Sequence, residues 1–67
     1  MRKEKLDKAL YNCVSLYFKN CEKEFKGYIV RDSYHPNRYR ILPIDLNEYS
    51  WAFSANSVKE YTILKYS

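Results

Sequence analysis

A chain of 67 residues has room for one small domain, and a content of 46% hydrophobic and 18% aromatic residues is that of a chain that folds around a core. It holds one Gly, two Pro, one His and two Cys, an inventory that excludes phosphate loops, dinucleotide fingerprints and most metal centres. The net charge of +4 suits plain solubility, and equally an acidic partner, either nucleic acid or an acidic protein face.

Residues 1–8 carry Arg2, Lys3, Lys5 and Lys8, four of the twelve basic residues. No apolar run behind them is long enough for a signal peptide or a membrane span. Leu6, Leu10, Cys13, Val14, Tyr17, Cys21 and Phe25 recur at spacings of three and four. That periodicity predicts an amphipathic helix over residues 3–25, with Lys5, Lys8, Asn12, Ser15, Lys19, Glu22 and Lys23 mostly on its polar side. Lys23 and Lys26 would complement the C-terminal end of its dipole, and Gly27 would stop it. On such a helix Cys13 and Cys21 stand about 12 Å apart along the axis, at roughly 1.5 Å per residue. A disulfide needs Cα atoms within about 7 Å, so two buried, reduced thiols are expected, as in a cytoplasmic protein.

After Gly27 the pattern turns to strands. Gly27-Tyr28-Ile29-Val30-Arg31-Asp32 is a β-branched and aromatic run that ends in the turn formers Ser33 to Asn37. Arg38 to Ile44 reads as a second strand, with Pro43 marking an edge, a bulge or the strand end. Asp45-Leu46-Asn47-Glu48 is a tight turn. Tyr49, Trp51 and Phe53 then alternate with small residues and share one face, with Trp51 expected in the core. Ser57 and Glu60 fit a capping box, predicting one helical or 3-10 turn there. Tyr61 to Tyr66 is the last strand expected.

Together these elements predict a single α+β domain over residues 1–67. An N-terminal amphipathic helix packs on a curled antiparallel sheet of three or four strands, a meander over about 27–66. The Gly27–Val30, Tyr39–Leu42 and Trp51–Phe53 strands, with the short turn at Ser57–Glu60 before a final strand, resemble a small SH3-like β-barrel. The resemblance covers about forty residues and implies a ligand-binding module. Such barrels usually have five strands where this sequence offers four, so an open sheet competes with a partial barrel.

Candidate chemistry is sparse. His35 could pair with a cysteine only if its turn packed on the helix, and nothing signals an oxyanion hole. The eight carboxylates are scattered among lysines, and no pair is poised as acid and base. No catalytic activity, metal or cofactor is expected. The one constellation that stands out is Arg31, Tyr34, His35, Arg38, Tyr39 and Arg40, which spans the first hairpin and holds three of the four arginines. Guanidinium groups grip phosphate or carboxylate in pairs of bonds, and tyrosine rings stack on bases or fill shallow pockets. The competing reading makes Arg31 and Arg40 cross-strand neighbours of Asp32 or Glu48 on the sheet's outer face.

Richness in Lys, Asn, Tyr, Ile and Phe, which have AT-rich codons, points to a low-GC bacterium or one of its phages. In character the chain resembles small phage-encoded accessory and inhibitor proteins. That resemblance implies a non-catalytic protein, monomer or homodimer, in the cytoplasm of a bacterial host. Its partner would be a protein with an acidic or nucleic-acid-binding surface, such as a nucleic-acid-processing or defence enzyme, and no membrane is involved. The alternative is direct nucleic-acid binding through the basic Tyr/Arg hairpin, against which the modest net charge and interrupted basic runs both count.

Overall fold

The computed structural model describes residues 1–64. In chain order it contains α1 (Lys3–Asp7), β1 (Cys13–Phe18), β2 (Glu24–Arg31), β3 (Tyr39–Pro43), β4 (Trp51–Phe53), a 3-10 turn (Ala55–Ser57) and β5 (Val58–Ile63). The five strands form one antiparallel sheet in the order β4-β3-β2-β1-β5. The described residues are therefore mostly β, with one short helix.

The helix expected over residues 3–25 is confined to Lys3–Asp7. Its second half is instead a β-hairpin, with Val14 opposite Gly27 and Leu16 opposite Phe25. The reason lies in the position of β1. It sits between β2 and β5, and Cys13, Val14, Ser15, Leu16 and Phe18 are all buried. A strand buried on both faces shows no alternation, and a short apolar run of that kind cannot be told from a helix stripe by spacing alone. Tyr11 (φ 65°) and Asn20 (φ 61°) hold left-handed conformations on either side of β1, which a continuous helix does not tolerate. At the first break the Tyr11 N–H donates to the Ile29 carbonyl at 2.6 Å, so tertiary pairing outweighs local helical preference.

Gly27 likewise ends no helix. It lies in mid-strand, where an added Cβ would stand 2.4 Å from the Leu42 carbonyl oxygen. Its lack of a side chain lets β3 close on β2. β2 starts three residues earlier than expected, at Glu24. Lys65 and Tyr66, expected in the last strand, lie outside the described residues.

The inner face of the sheet presents Val14, Leu16, Phe18, Ile29, Tyr39, Ile41, Phe53 and Val58, and α1 and the turn after it add Leu6 and Ala9 to the same core. Leu6 is fully buried, a contribution of roughly 2 kcal/mol. Several hydrogen bonds hold the N-terminal segment in place. The Met1 amino group donates to the Val58 carbonyl (3.4 Å), the Tyr61 hydroxyl to the Lys5 carbonyl (2.8 Å), and the Tyr39 hydroxyl to Asp7 Oδ1 (2.5 Å). Phe18 centres an aromatic cluster, with ring centroids 5.4 Å from Phe25, 4.6 Å from Trp51 and 5.1 Å from Phe53.

Trp51 and Phe53 face this core, but Tyr49 does not share their strand face. It precedes β4 and is 87% exposed. The capping box is also absent, because Ser57 closes the 3-10 turn and donates its hydroxyl to the Ser54 carbonyl at 2.7 Å, while Glu60 lies in β5. Cys13 is buried and Cys21, in the β1–β2 turn, is exposed. Among the described residues, no helix is long and apolar enough to cross a membrane.

Candidate binding surfaces

The hairpin that carries most of the arginines is β2, the loop 32–38 and β3. Its register places Arg31 opposite Tyr39 and Val30 opposite Arg40. Side chains therefore alternate between the inner face (Arg31, Tyr39) and the outer face (Val30, Arg40).

Tyr39 is fully buried, so it is part of the core and not of a contact surface. Its hydroxyl donates to Asp7, whose Oδ1 also takes Nη2 of Arg31 at 3.4 Å. Burial, and next the bond to the Asp7 carboxylate, pushes the Tyr39 phenol up to about 12. The Arg31 guanidinium stands 5.9 Å from the Tyr39 ring centroid and also donates to the Pro36 carbonyl at 3.4 Å. Asp7 thus clasps α1 to the hairpin, a junction invisible in sequence because its members lie 24 and 32 positions apart.

Arg40, on the outer face, is also engaged within the molecule. Its Nε donates to Oδ1 of Asp32 at 3.3 Å, and its Nη1 to the Ser50 hydroxyl at 3.2 Å. Asp32 is 4% exposed, so this pair joins the start of the β2–β3 loop to the segment before β4. Asp32 is one of the two carboxylates that the competing reading offered to Arg31 and Arg40. Glu48 instead binds Lys23 at 2.9 Å.

Of the six residues singled out in the hairpin, Tyr39 and Arg40 are therefore engaged within the molecule, and Arg31 is paired with Asp7 while its side chain stays 46% exposed. Tyr34, His35 and Arg38 remain exposed on the loop, where the Arg38 N–H donates to the His35 carbonyl at 2.8 Å. Tyr34 is 83% exposed.

A second surface lies at the opposite end of the β2–β3 pair. There a cleft of about 450 Å³ is lined by Glu24, Phe25, Lys26, Ile41, Pro43, Ile44, Asp45 and Glu48. The β3–β4 loop forms one wall. It is shaped by a turn in which the Asp45 side chain accepts the Asn47 N–H at 2.9 Å and its carbonyl accepts the Glu48 N–H at 3.0 Å. This turn leaves Leu46 98% exposed and Ile44 about half exposed, and Leu42, on the outer face of β3, is about half exposed as well. Tyr28, opposite Leu42 on the outer face, is also half exposed.

Charge frames the cleft. Glu24 accepts the Ser15 hydroxyl and lies 3.9 Å from Lys26 Nζ. Lys23 Nζ stands 5.0 Å from the Phe25 ring centroid while it binds Glu48. In the sequence 45–48 reads as a tight turn, with no local signal of this surface. Ile44, Leu46 and Tyr49 alternate with Asp45 and Glu48 there, in a segment too short to carry all three inward. Compared with protein-family models, with curated proteins and with solved structures, the chain matches none.

Proposed function

We propose that the protein is a non-catalytic docking module of the SH3-like barrel type, which binds a protein partner through the β3–β4 end of its sheet. The observation that carries this reading is the concentration of uncovered large apolar side chains between Leu42 and Tyr49, with Leu46 almost wholly exposed. Apolar side chains left together in water are a hallmark of a surface completed by another protein. The strand order β4-β3-β2-β1-β5 and the 3-10 turn between β4 and β5 support the SH3-like assignment, a fold whose architecture alone fixes no function. The finer form of the proposal is a bacterial mobile-element accessory protein that occludes the working surface of a host enzyme acting on nucleic acid.

Direct nucleic-acid binding is the second reading, favoured by the exposed Tyr34, His35 and Arg38 on one loop. It is weakened because Arg31 and Arg40 already have carboxylate partners. One pair of measurements separates the two. Labelled single- and double-stranded DNA and RNA are titrated by fluorescence anisotropy at low and physiological salt, and the wild-type chain and a Leu46→Asp/Tyr49→Asp variant are used as bait in a host lysate. A partner retained by wild type and lost by the variant, with no salt-dependent nucleic-acid binding, is the expected result. Micromolar nucleic-acid binding with a steep salt slope, unaffected by the loop changes, would overturn it.

A further inference from the structure

We infer that the cleft at the β3–β4 end receives a cationic side chain, Lys or Arg, carried by a partner segment next to an apolar residue, and that Lys23 holds that cation's place in the free protein. The inference rests on the docking reading above and specifies the chemistry of the partner. Phe25, Ile41, Pro43 and Ile44 give the cleft an apolar floor, and Glu24, Asp45 and Glu48 set three carboxylates against the single ammonium of Lys26. That ammonium lies 3.9 Å from Glu24, which leaves Asp45 and Glu48 as the surplus negative charge. A long basic side chain fits that division, because its methylene stem covers apolar surface while its head stays with the charges. At about 450 Å³ the cleft lies within the range of roughly 300–1,000 Å³ common for ligand pockets.

The chain itself shows how a cation is received by two of the lining residues, Phe25 and Glu48. Lys23 Nζ lies at once 5.0 Å from the Phe25 ring centroid and 2.9 Å from Glu48 Oε1. An aromatic face and a carboxylate meeting on one ammonium group form a cation subsite. Lys23 comes from the β1–β2 turn, and its side chain is 56% exposed, so little packing holds it. An incoming guanidinium can displace it, and the partner's apolar neighbour then meets Ile44 and Leu46. A basic, nucleic-acid-binding surface on the partner is the kind of surface that supplies such a segment.

The inference makes opposite predictions for the two members of the ion pair. Lys23→Gln removes the internal competitor and should tighten binding of a cationic peptide. Glu48→Gln removes a rim charge and should weaken it, each by roughly two- to fivefold, as for one exposed ion pair. The probes are the capped pentapeptides GLRLG, GLSLG and GLELG, titrated to several millimolar (order of magnitude for single-subsite contacts) while backbone amide resonances are followed by NMR. The expected result is that GLRLG shifts resonances of residues 24–26 and 41–48, more strongly than GLSLG, with GLELG weakest. Unchanged resonances elsewhere confirm that both variants keep the fold. Equal binding of GLSLG and GLRLG, or weaker binding by Lys23→Gln, would overturn the cation subsite while leaving the apolar docking reading intact. Absence of any shift with GLRLG also rejects the subsite, and the lysate experiment then judges the docking reading separately.

Discussion

Replacement of Arg40 by Gln should destabilise the fold, whereas the same change at Arg38 should not. The Asp32 side chain is 2% exposed, and Arg40 Nε at 3.3 Å is its cationic partner. Removal of one member of a fully buried ion pair costs about 3–5 kcal/mol, because a charge is left in a poorly solvated site. The Arg40 side chain is itself 33% exposed, so water enters where it leaves, and about 2 kcal/mol is the better figure. A domain of this size is stable by only about 3–10 kcal/mol, at roughly 0.05–0.15 kcal/mol per residue. The loss is therefore a large fraction of the total. Urea unfolding followed by fluorescence of Trp51, the only tryptophan, measures it. Arg38→Gln should stay within about 0.5 kcal/mol of wild type, as surface substitutions do. Adding Asp32→Asn to Arg40→Gln should recover most of the loss, since the stranded charge is then gone. If Arg40→Gln unfolds at the same urea concentration as Arg38→Gln, the pair does not stabilise the hairpin, and Arg40 becomes available to a partner.

Three further outcomes follow from the same geometry. Gly27→Ala should cost about 3 kcal/mol or more by forcing β3 off β2, read as a drop in thermal midpoint; an unshifted midpoint would mean that the two strands have slack at this point. Because the phenol of Tyr39 is raised to about 12 in the folded state against about 10 when unfolded, the unfolded chain loses that proton first. Stability should then fall as pH rises from about 10 to about 12, by roughly 3 kcal/mol in all, and urea midpoints across that range should fall less steeply in Tyr39→Phe. A thiol reagent should label Cys21 within the folded protein and Cys13 only on unfolding; equal rates would contradict the burial of β1.

The strands after Gly27 were legible because each carries a local signature. β2 and β3 are β-branched and aromatic, Ser33 to Asn37 are turn formers, and Trp51 and Phe53 alternate with small residues. β1 was not legible, and the cause is physical. In Cys13–Phe18 only Tyr17 escapes burial, so the binary pattern that distinguishes a strand from a helix is erased by neighbours far along the chain. Gly27 carried the right warning in the wrong sense. A lone glycine after an apparent helix reads as a stop, yet here it answers the approach of the Leu42 carbonyl, which no local rule anticipates.

The site divided along a similar line. Residue type suggested what the arginines can do, but only tertiary placement decided whether they are available to do it. Arg31 is met at the surface by Asp7 from α1, both side chains staying well exposed, and Arg40 by the buried Asp32 from its own hairpin. Those carboxylates occupy two binding candidates and leave Arg38 the most open of the hairpin arginines. At the other end the logic reverses. Leu46 and Tyr49 would be unremarkable core candidates by type, and it is the tight turn at Asp45–Glu48 that keeps them outside. A chain of this size has few large apolar side chains to spare from its core. Leaving them at one end, beside a cleft in which Glu48 and Phe25 already grip a lysine, makes sense if the surface they form is completed by a partner.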